Sequence, residues 1–174
     1  MKVIGFCGWS GSGKTTLIEG VIAALKAAGL RVSVVKHAHH RFDIDHEGKD
    51  SWRHRKAGAF EVLVASSKRL ALMREYEDEV EHDVHRLIAE LAPVADWVLV
   101  EGFRHADLLK IEVWRQGVGE APLYPADPYV VAVATDDAAR LPSSTGLPVL
   151  PLDQPAAVAQ WLMQSGSRHD YPRS

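Results

Sequence analysis

Short runs of apolar residues alternate along the chain with longer segments in which apolar residues recur every three or four positions. The short runs predict strands, and the longer segments predict helices. Strands are predicted over residues 2–7, 31–35, 97–101, 110–115, 129–134 and 148–152, and helices over residues 14–28, 49–57, 78–91 and 156–164. Apolar strands that alternate with helices are typical of a layered α/β fold whose sheet is mainly parallel.

One part of the chain departs from this alternation. Two strand-like runs, 60–65 and 69–74, are separated only by Ser-Ser-Lys, which is typical of a hairpin. The hairpin predicts an antiparallel extension at one edge of the parallel sheet. Residues 1–164 are predicted to form a single domain, and the polar stretch 165–174 is expected to be a frayed tail.

The composition of the 174 residues, with 47% hydrophobic and 25% charged, is that of an ordinary soluble globular protein. A net charge of −3 provides no basic field, so nucleic acid is not a predicted partner. No run approaches the roughly 20 apolar residues of a membrane span, and the first run is too short for a signal-peptide core. The single cysteine, Cys7, excludes an internal disulfide and is expected to be buried. We therefore expect a cytoplasmic protein without a membrane partner.

A glycine-rich stretch follows the first strand and opens the first helix. Residues 8–15, GWSGSGKT, fit the pattern G-x-x-x-x-G-K-[ST], in which backbone N–H groups and the helix N-terminus cradle phosphates. Lys14 is placed to reach the β- and γ-phosphates of a nucleotide, and the Thr15 hydroxyl to bind Mg²⁺. The sequence thus predicts a three-layer P-loop NTPase-like fold. The nucleotide contacts expected from this pattern are Gly8, Ser10, Gly11, Ser12, Gly13, Lys14 and Thr15.

Three residues near this pattern bear on how a nucleotide is used. Some dimeric P-loop ATPases carry a lysine at the second loop position, which crosses to the partner's phosphates; here the residue is Trp9, so that mechanism is not expected. The predicted strand 97–101 ends in Glu101, and an acid at this point lies beside Mg²⁺ and orients a metal-bound water. Arg104 follows, either as a phosphate contact or as a solvated loop residue.

The densest polar stretch, residues 36–56, contains most of the chain's nine histidines. Three interpretations are open: a transition-metal site, an anionic-ligand surface, and a solvated loop followed by a charged helix face. The spacing of His37, His39 and His40 fits no standard zinc pattern. The anionic-ligand interpretation is favoured, because the stretch begins beside the expected phosphate site. Its candidates are Lys36, His37, Lys49, Arg53, Arg55, Lys56 and Arg104, with Asp43, Asp45 and Asp50 as outer-shell groups for Mg²⁺.

The predicted strand 129–134 ends at the edge of the sheet where a nucleobase would bind. GTPases usually read guanine there with N-K-x-D, but this chain contains no asparagine. Either Thr135-Asp136 replaces that motif, with Asp136 accepting hydrogen bonds from the base, or these residues cap the turn that follows. The choice of nucleobase is therefore open.

Together these segments resemble the MobB family, the adaptor proteins of molybdopterin-guanine dinucleotide biosynthesis. The resemblance is carried by GWSGSGKTTL, VVKHAHHRFDID, GKDSWRHRKAGA, VLVEGFR, KIEVWR and VAVATDD, and it extends to about residue 152. A P-loop alone occurs in many families. The histidine-rich stretch together with GKDSWRHRKAGA is the discriminating part.

The resemblance implies a homodimer that binds GTP with Mg²⁺ and hydrolyses it at most weakly. It also implies partnership with a MobA-type guanylyltransferase and related enzymes, to which GTP or molybdopterin would be delivered. By position, it carries Gly13, Lys14, Thr15 and Thr16 over as phosphate and Mg²⁺ contacts, and Glu101 as the candidate catalytic acid. The guanine contacts of the family do not map onto this chain.

Two other functions remain as alternatives. A small-molecule kinase would use the basic helix 49–56 as a clamp and Asp43 or Asp50 as a base, although the loop 116–128 lacks the arginines of a mobile lid. A metal chaperone would use the histidine-rich stretch. For the dimer, residues 69–74 and 110–115 are predicted as exposed strand edges that pair between copies.

Overall fold

The computed structural model describes residues 1–38 and 42–172, and the chain divides into two compact units. The first unit comprises Met1–His37 and Asp83–Ser174, and the second comprises Ala38–His82. The strands are β1 (Lys2–Cys7), β2 (Val32–Lys36), β3 (Glu61–Ala65), β4 (Leu70–Arg74), β5 (Trp97–Glu101), β6 (Lys110–Val113), β7 (Val130–Thr135) and β8 (Val149–Pro151). The α-helices are α1 (Lys14–Ala27), α2 (Asp50–Lys56), α3 (Val84–Ala89) and α4 (Pro155–Gln164).

A six-stranded sheet with the order β2-β5-β1-β6-β7-β8 forms the first unit, and its strand pairs are parallel. Helices α1 and α4 pack on one face, where their apolar residues meet those of alternate strand positions. Helix α3 packs on the other face with the remaining strand positions. This confirms the predicted three-layer α/β fold with a mainly parallel sheet.

Helix α1 forms because its apolar residues recur at helical spacing and are buried; these are Leu17, Ile18, Val21 and Leu25. It ends where Gly29 adopts a φ of +81°. The N–H groups of Gly29 and Leu30 then donate to the carbonyls of Lys26 and Leu25, which satisfies the last turn. The amino end of α1 follows the carboxyl end of β1 after a short loop, so it lies at the edge of the sheet where ligands of open α/β sheets bind.

The helix predicted over residues 78–91 is shorter, at Val84–Ala89. The Asp83 carboxylate accepts hydrogen bonds from the N–H groups of His85 and Arg86, which starts the helix at that point. The residues before it carry several acids in close succession, which disfavours a helix through like-charge repulsion.

Strand β6 lies inside the sheet between β1 and β7, so the prediction that residues 110–115 form an exposed edge is wrong. Lys110 and Glu112 alternate with apolar residues, a pattern typical of a strand with one solvent-facing side. Both charged side chains are instead fully buried, because polar groups of the neighbouring loops meet them there.

The expectation that the chain frays after residue 165 is wrong for the described residues. A 3-10 helix, Gly166–His169, follows α4, and Asp170 forms a β-bridge with Lys2. His169 is 2% exposed and lies between the rings of Trp97 and Trp161. Aromatic packing therefore fixes a segment whose composition is polar.

The second unit contains helix α2 and an antiparallel hairpin of β3 and β4. The hairpin is confirmed, but the prediction that it extends the parallel sheet is wrong, because among the described strands β3 and β4 pair only with each other and form a two-stranded sheet of their own. Among its described residues only Val62 is buried. Arg55 organises its polar part, because the guanidinium binds the carboxylates of Asp43, Asp45 and Glu75 at 3.0, 3.1 and 2.7 Å. Across the described residues of both units, no helix is long and apolar enough to cross a membrane.

Candidate nucleotide-binding site

The glycine-rich loop joins the end of β1 to the start of α1. Gly8, Gly11 and Gly13 have φ angles of +131°, +78° and +95°, which side-chain-bearing residues rarely adopt. A Cβ on Gly8 would also lie 2.3 Å from the carbonyl oxygen of Val113. The loop is therefore a backbone cradle that only glycine can form at these positions, and its N–H groups suit an anion.

Two side chains inside the cradle bear on what it can hold. The Lys14 ammonium donates to the carbonyls of Gly8 and Trp9 at 2.9 and 2.7 Å, which keeps it across the loop. Burial lowers the pKa of Lys14, while the carboxylate of Glu101 opposes the shift. The Ser12 hydroxyl is buried and has no hydrogen-bond partner among the described residues. A positive group and an unsatisfied donor within a glycine nest fit a phosphate.

The acid predicted on the neighbouring strand lies at the mouth of this cradle. The Thr15 hydroxyl donates to Glu101 Oε1 at 2.6 Å, and Lys36 Nζ lies 3.3 Å from Oε2. Glu101 is 8% exposed. Hydroxyl and carboxylate oxygens are ligands that Mg²⁺ accepts together with phosphate oxygens and water. Within the described ranges, no group of three or more His, Cys, Asp or Glu side chains could hold a metal by protein ligands alone.

The loops after β2 and β5 carry two further predicted residues, His37 and Arg104. Phe103 has a φ of +47°, an unusual angle for a non-glycine residue, and its ring lies 4.8 Å from that of His37. The Arg104 guanidinium lies 4.5 Å from the centre of the Trp9 ring, so it is stacked on the phosphate loop. The Trp9 indole N–H in turn donates to the carbonyl of Ala121 at 2.8 Å. Loops on both sides of β1 therefore contact the cradle.

Asp136 follows β7, as the sequence predicts, and its carboxylate contacts Arg115. The cap of the next turn is provided by Asp137, whose carboxylate accepts from the Ala139 N–H at 3.0 Å. Asp136 is thus not the capping residue. Sequence reasoning missed Arg115, although its place two residues beyond the buried β6 puts it at the same edge of the sheet.

Sequence reasoning also missed the buried charges that hold the surrounding loops. Lys110 donates to the carbonyls of Arg104 and Ala106 at 3.0 and 2.7 Å and pairs with Asp127 at 2.8 Å. It lies against Gly5, where a Cβ would come within 2.7 Å of Lys110 Cγ. Lys110 therefore fixes the loop that carries Arg104.

On the same strand, the Glu112 carboxylate accepts the N–H groups of Leu123 and Tyr124 at 2.7 and 2.8 Å. Burial raises the pKa of Glu112. Burial, with a smaller contribution from Glu112, raises the pKa of the nearby Cys7 thiol to about 12. Cys7 is a buried residue, as expected, and its thiol is protonated at neutral pH.

The other anionic-ligand candidates lie in the second unit. Lys49 immediately precedes α2, and Arg53 on that helix is exposed, with its nearest carboxylate, Asp50, at 4.0 Å. Asp43 and Asp45 bind Arg55. Backbone hydrogen bonding from Asp45 and the Arg55 guanidinium lower the pKa of Asp43. Of the histidines predicted as metal ligands, His39 and His40 lie outside the described residues.

Comparison with known proteins agrees with this geometry. Residues 3–136 match the family model described as "MobB: Molybdopterin guanine dinucleotide synthesis protein B". The molybdopterin-guanine dinucleotide biosynthesis adapter protein of Escherichia coli K12 is 45% identical over 138 residues, covering 78% of this chain and 79% of that protein. The adapter protein of Haemophilus influenzae is 45% identical over 136 residues, covering 78% and 75%.

A solved structure shares the fold over almost the whole chain. The crystal structure of a MobB protein homolog from Bacillus stearothermophilus matches with a TM-score of 0.70 and 26% identity, covering 95% of this chain and 97% of that one. The resemblance found in the sequence is therefore confirmed. The sequence match over most of the chain and the shared fold show that this chain belongs to the MobB family.

Proposed function

We propose that this protein is an adaptor in molybdopterin-guanine dinucleotide biosynthesis, which binds GTP with Mg²⁺ and assists a MobA-type guanylyltransferase. The observation that carries the proposal is the 2.6 Å contact of Thr15 with Glu101 at the mouth of the glycine cradle. It joins a phosphate cradle to an oxygen pair suited to Mg²⁺. The names of the E. coli and H. influenzae relatives supply the pathway and the adaptor role.

The surroundings of Glu101 support binding with at most weak hydrolysis. One carboxylate oxygen accepts from Thr15 and the other lies beside the Lys36 ammonium. Both oxygens of the Glu101 carboxylate are therefore occupied by contacts within the chain, which leaves neither oxygen free to take a proton from an attacking water. Lys36, one of the anionic-ligand candidates, therefore forms an ion pair with Glu101, the acid of the site.

The kinase alternative is less well supported. Asp43, one of its two candidate bases, is bound by Arg55, and its pKa is lowered by backbone hydrogen bonding and by that guanidinium. A base of lowered pKa accepts a proton from an alcohol poorly at neutral pH. Transfer of labelled γ-phosphate to a small metabolite would restore this alternative.

Guanine is the base that Asp136 would select. The carboxylate is 49% exposed, and it can accept from the N1–H and the N2 amino group of guanine, whereas adenine offers no such pair of donors on that edge. We assign the remaining nucleotide contacts to Gly8, Ser10, Gly11, Ser12, Gly13, Lys14, Thr15 and Thr16.

The hairpin of the second unit supports a homodimer. Leu63, Leu70 and Leu72 share one face of the two-stranded sheet, and their side chains are 59%, 65% and 43% exposed. Contiguous exposed apolar side chains mark protein interaction sites, and a second copy of the chain is the occupant that we propose. Delivery of molybdopterin, the cytoplasmic location and the single domain over 1–164 stay predictions.

Titration of GTP, ATP and GDP with and without Mg²⁺, and with and without the guanylyltransferase, tests the proposal. GTP with Mg²⁺ should bind most tightly. An adaptor that engages its partner in the GTP-bound state binds the partner more tightly with GTP than without it, and because coupling between two ligands is reciprocal, the partner enzyme should then increase the affinity for GTP by the same factor. Equal affinity for ATP and GTP would contradict the choice of base. GTP turnover without a partner at about 1–100 s⁻¹ would contradict the adaptor role.

A further inference from the structure

Arg115 ends the segment KIEVWR, but the sequence assigns it no role; in the structure it lies against the phosphate loop. From the position that a Cβ would take on Gly13, Arg115 Cζ and Nη2 are 3.5 Å away and Nε is 3.8 Å away. These similar distances place the guanidinium nearly flat over Gly13. These are ordinary van der Waals distances, so the arginine packs on the loop, and it is the φ of +95° that requires glycine at this position.

The same guanidinium approaches Asp136 at the end of the next strand. Arg115 Nε lies 3.3 Å from the Asp136 carboxylate, which is an ion-pair distance. The alignment is not that of a hydrogen bond, so the buried Nε has no hydrogen-bond partner among the described residues. The two side chains are 42% and 49% exposed, so part of each remains accessible to a ligand.

The order of the strands fixes which end of a nucleotide would meet this pair. Thr15 and Glu101 mark the Mg²⁺ and γ-phosphate end, and Glu101 belongs to β5 on one side of β1. Arg115 and Asp136 follow β6 and β7, which lie on the other side of β1. A nucleotide whose terminal phosphate points toward β5 therefore extends its nucleoside toward β6 and β7.

We propose that Arg115 is a base-binding residue that determines specificity for guanine, an inference that rests on the proposed binding of GTP. Its planar guanidinium provides a platform on which the base stacks, as arginine does against aromatic rings. Its charge also attracts the Asp136 carboxylate, and this ion pair keeps the carboxylate facing the base edge. Asp136 then accepts from the N1–H and N2 amino groups of guanine, and Arg115 sets the plane in which those groups lie.

Calorimetric titration of the full chain with Mg²⁺ tests the proposal with three ligands: GTP, ITP and inorganic tripolyphosphate. ITP lacks the N2 amino group, and tripolyphosphate lacks the nucleoside. The variants are Arg115→Ala and Arg115→Lys, which keeps the charge but not the plane. The matched control is Arg140→Ala, since Arg140 also pairs with an aspartate near the end of β7, Asp137 at 3.5 Å, but makes no recorded contact with the phosphate loop among the described residues.

For Arg115→Ala we expect GTP affinity to fall roughly tenfold or more, from lost stacking and a misplaced acceptor. The preference for GTP over ITP should narrow, and the affinity for tripolyphosphate should stay unchanged. Arg115→Lys should behave like Arg115→Ala, and Arg140→Ala like the unmodified chain. Equal losses for GTP and tripolyphosphate would overturn the proposal, because Arg115 would then act on the phosphates.

A second variant keeps the test decisive if Arg115→Ala folds poorly. Asp136→Asn replaces one acceptor by a donor, so it should shift preference from GTP to XTP, whose C2 oxygen accepts a hydrogen bond. No shift would overturn the proposal. Failure of the unmodified chain to bind GTP while it binds tripolyphosphate would overturn the proposed function itself, and this pattern differs from either variant result.

Discussion

The two units of this chain place charged and apolar side chains in opposite ways. In the first unit, Lys110 and Glu112 are 1% and 0% exposed, at the centre of a parallel sheet. In the second unit, Leu63 and Leu70 are 59% and 65% exposed. Buried charges cost desolvation energy and exposed apolar groups forgo burial, so each arrangement needs a compensating partner.

In the first unit the partners are loops of the same chain. Lys110 binds the carbonyls of the loop that carries Arg104, and Glu112 binds N–H groups of the loop after β6. Both loops reach the phosphate cradle through Trp9, which stacks under Arg104 and donates to Ala121. Buried charge therefore positions a ligand site, whereas exposed apolar surface is available to a second polypeptide.

The largest effect should follow from removing the buried ammonium. Lys110→Met leaves the Asp127 carboxylate and two loop carbonyls without their donor. Breaking a buried pair on one side costs about 3–5 kcal/mol in free energy of unfolding. Urea denaturation should show this loss, and the matched control is Lys56→Met on α2.

Lys56 is exposed, and its ammonium lies 5.7 Å from the centre of the Trp52 ring. Its replacement should change the free energy of unfolding by less than about 1 kcal/mol. If Lys110→Met and Lys56→Met lowered the free energy of unfolding by similar amounts, a buried lysine of the first unit would matter no more for stability than an exposed lysine of the second.

Much of the fold and part of the candidate site can be predicted from the sequence, but the buried charges cannot. The P-loop, the order of strands and helices and the acid at Glu101 follow from local patterns, because each depends on neighbouring residues. The buried state of Lys110 does not, because it depends on Asp127 and on carbonyls brought near only by the folded chain. A strand with alternating charges is more simply explained by a half-exposed sheet.

The same reason explains why Arg115 was missed. Its contacts are with Gly13, at the start of α1, and with Asp136, after the next strand β7. Both residues are far from Arg115 in the sequence, and no spacing rule joins them to it. The fixed C-terminal segment was missed for a similar reason, since His169 is buried by Trp97 and Trp161 and not by its polar neighbours. Long-range partners decide burial wherever local composition is ambiguous.

His169 gives the next largest effect, through the pH dependence of stability. Burial, with smaller contributions from the nearby charges of Arg168 and Lys2, lowers its pKa from 6.5 to about 4, while Asp170 opposes the shift. The unfolded chain therefore takes up a proton between these values that the folded chain does not. Stability should fall as pH decreases from about 6.5 to 4, by about 3 kcal/mol from this residue.

The free energy of unfolding of His169→Phe should be measured at pH 7 and at pH 4. Its decrease between the two pH values should be smaller than that of the unmodified chain by the contribution of His169. His54→Gln, at an exposed position in the second unit, is the control and should keep it. If His169→Phe and the unmodified chain lose equal stability between the two pH values, the buried neutral state of His169 is wrong.

Removal of the Lys14 ammonium should mainly affect the ligand. Lys14→Ala loses a charge-assisted contact with phosphate, which is worth about 1.5–3 kcal/mol, or roughly ten- to a hundredfold in the Kd for GTP. The fold should persist, since the partners of Lys14 are two carbonyls of its own loop. Calorimetry measures the affinity, with Lys26→Ala in the last turn of the same helix as the control. Unchanged GTP affinity in Lys14→Ala would exclude the assigned role.

The smallest effect concerns the apolar face of the hairpin and tests the other half of the comparison. Leu70→Glu places a charge on the face that Leu70 shares with Leu63 and Leu72. Burial of a leucine contributes about 1.5–3 kcal/mol when complete, so a partly buried one should weaken dimerisation about tenfold. Sedimentation velocity over a range of concentrations measures the change, and the GTP affinity per chain should not alter.

Val94→Glu is the matched control for this variant, because Val94 is 54% exposed but belongs to the first unit. If the hairpin face binds a second copy, only Leu70→Glu shifts the chain toward the monomer, since Val94 lies outside that face. Equal shifts toward the monomer in both variants would mean that any exposed apolar side chain contributes to association, and that the hairpin face has no special part in it. No shift in either variant would contradict the use of this face in dimerisation, and the exposed leucines would then need a different partner from the one proposed.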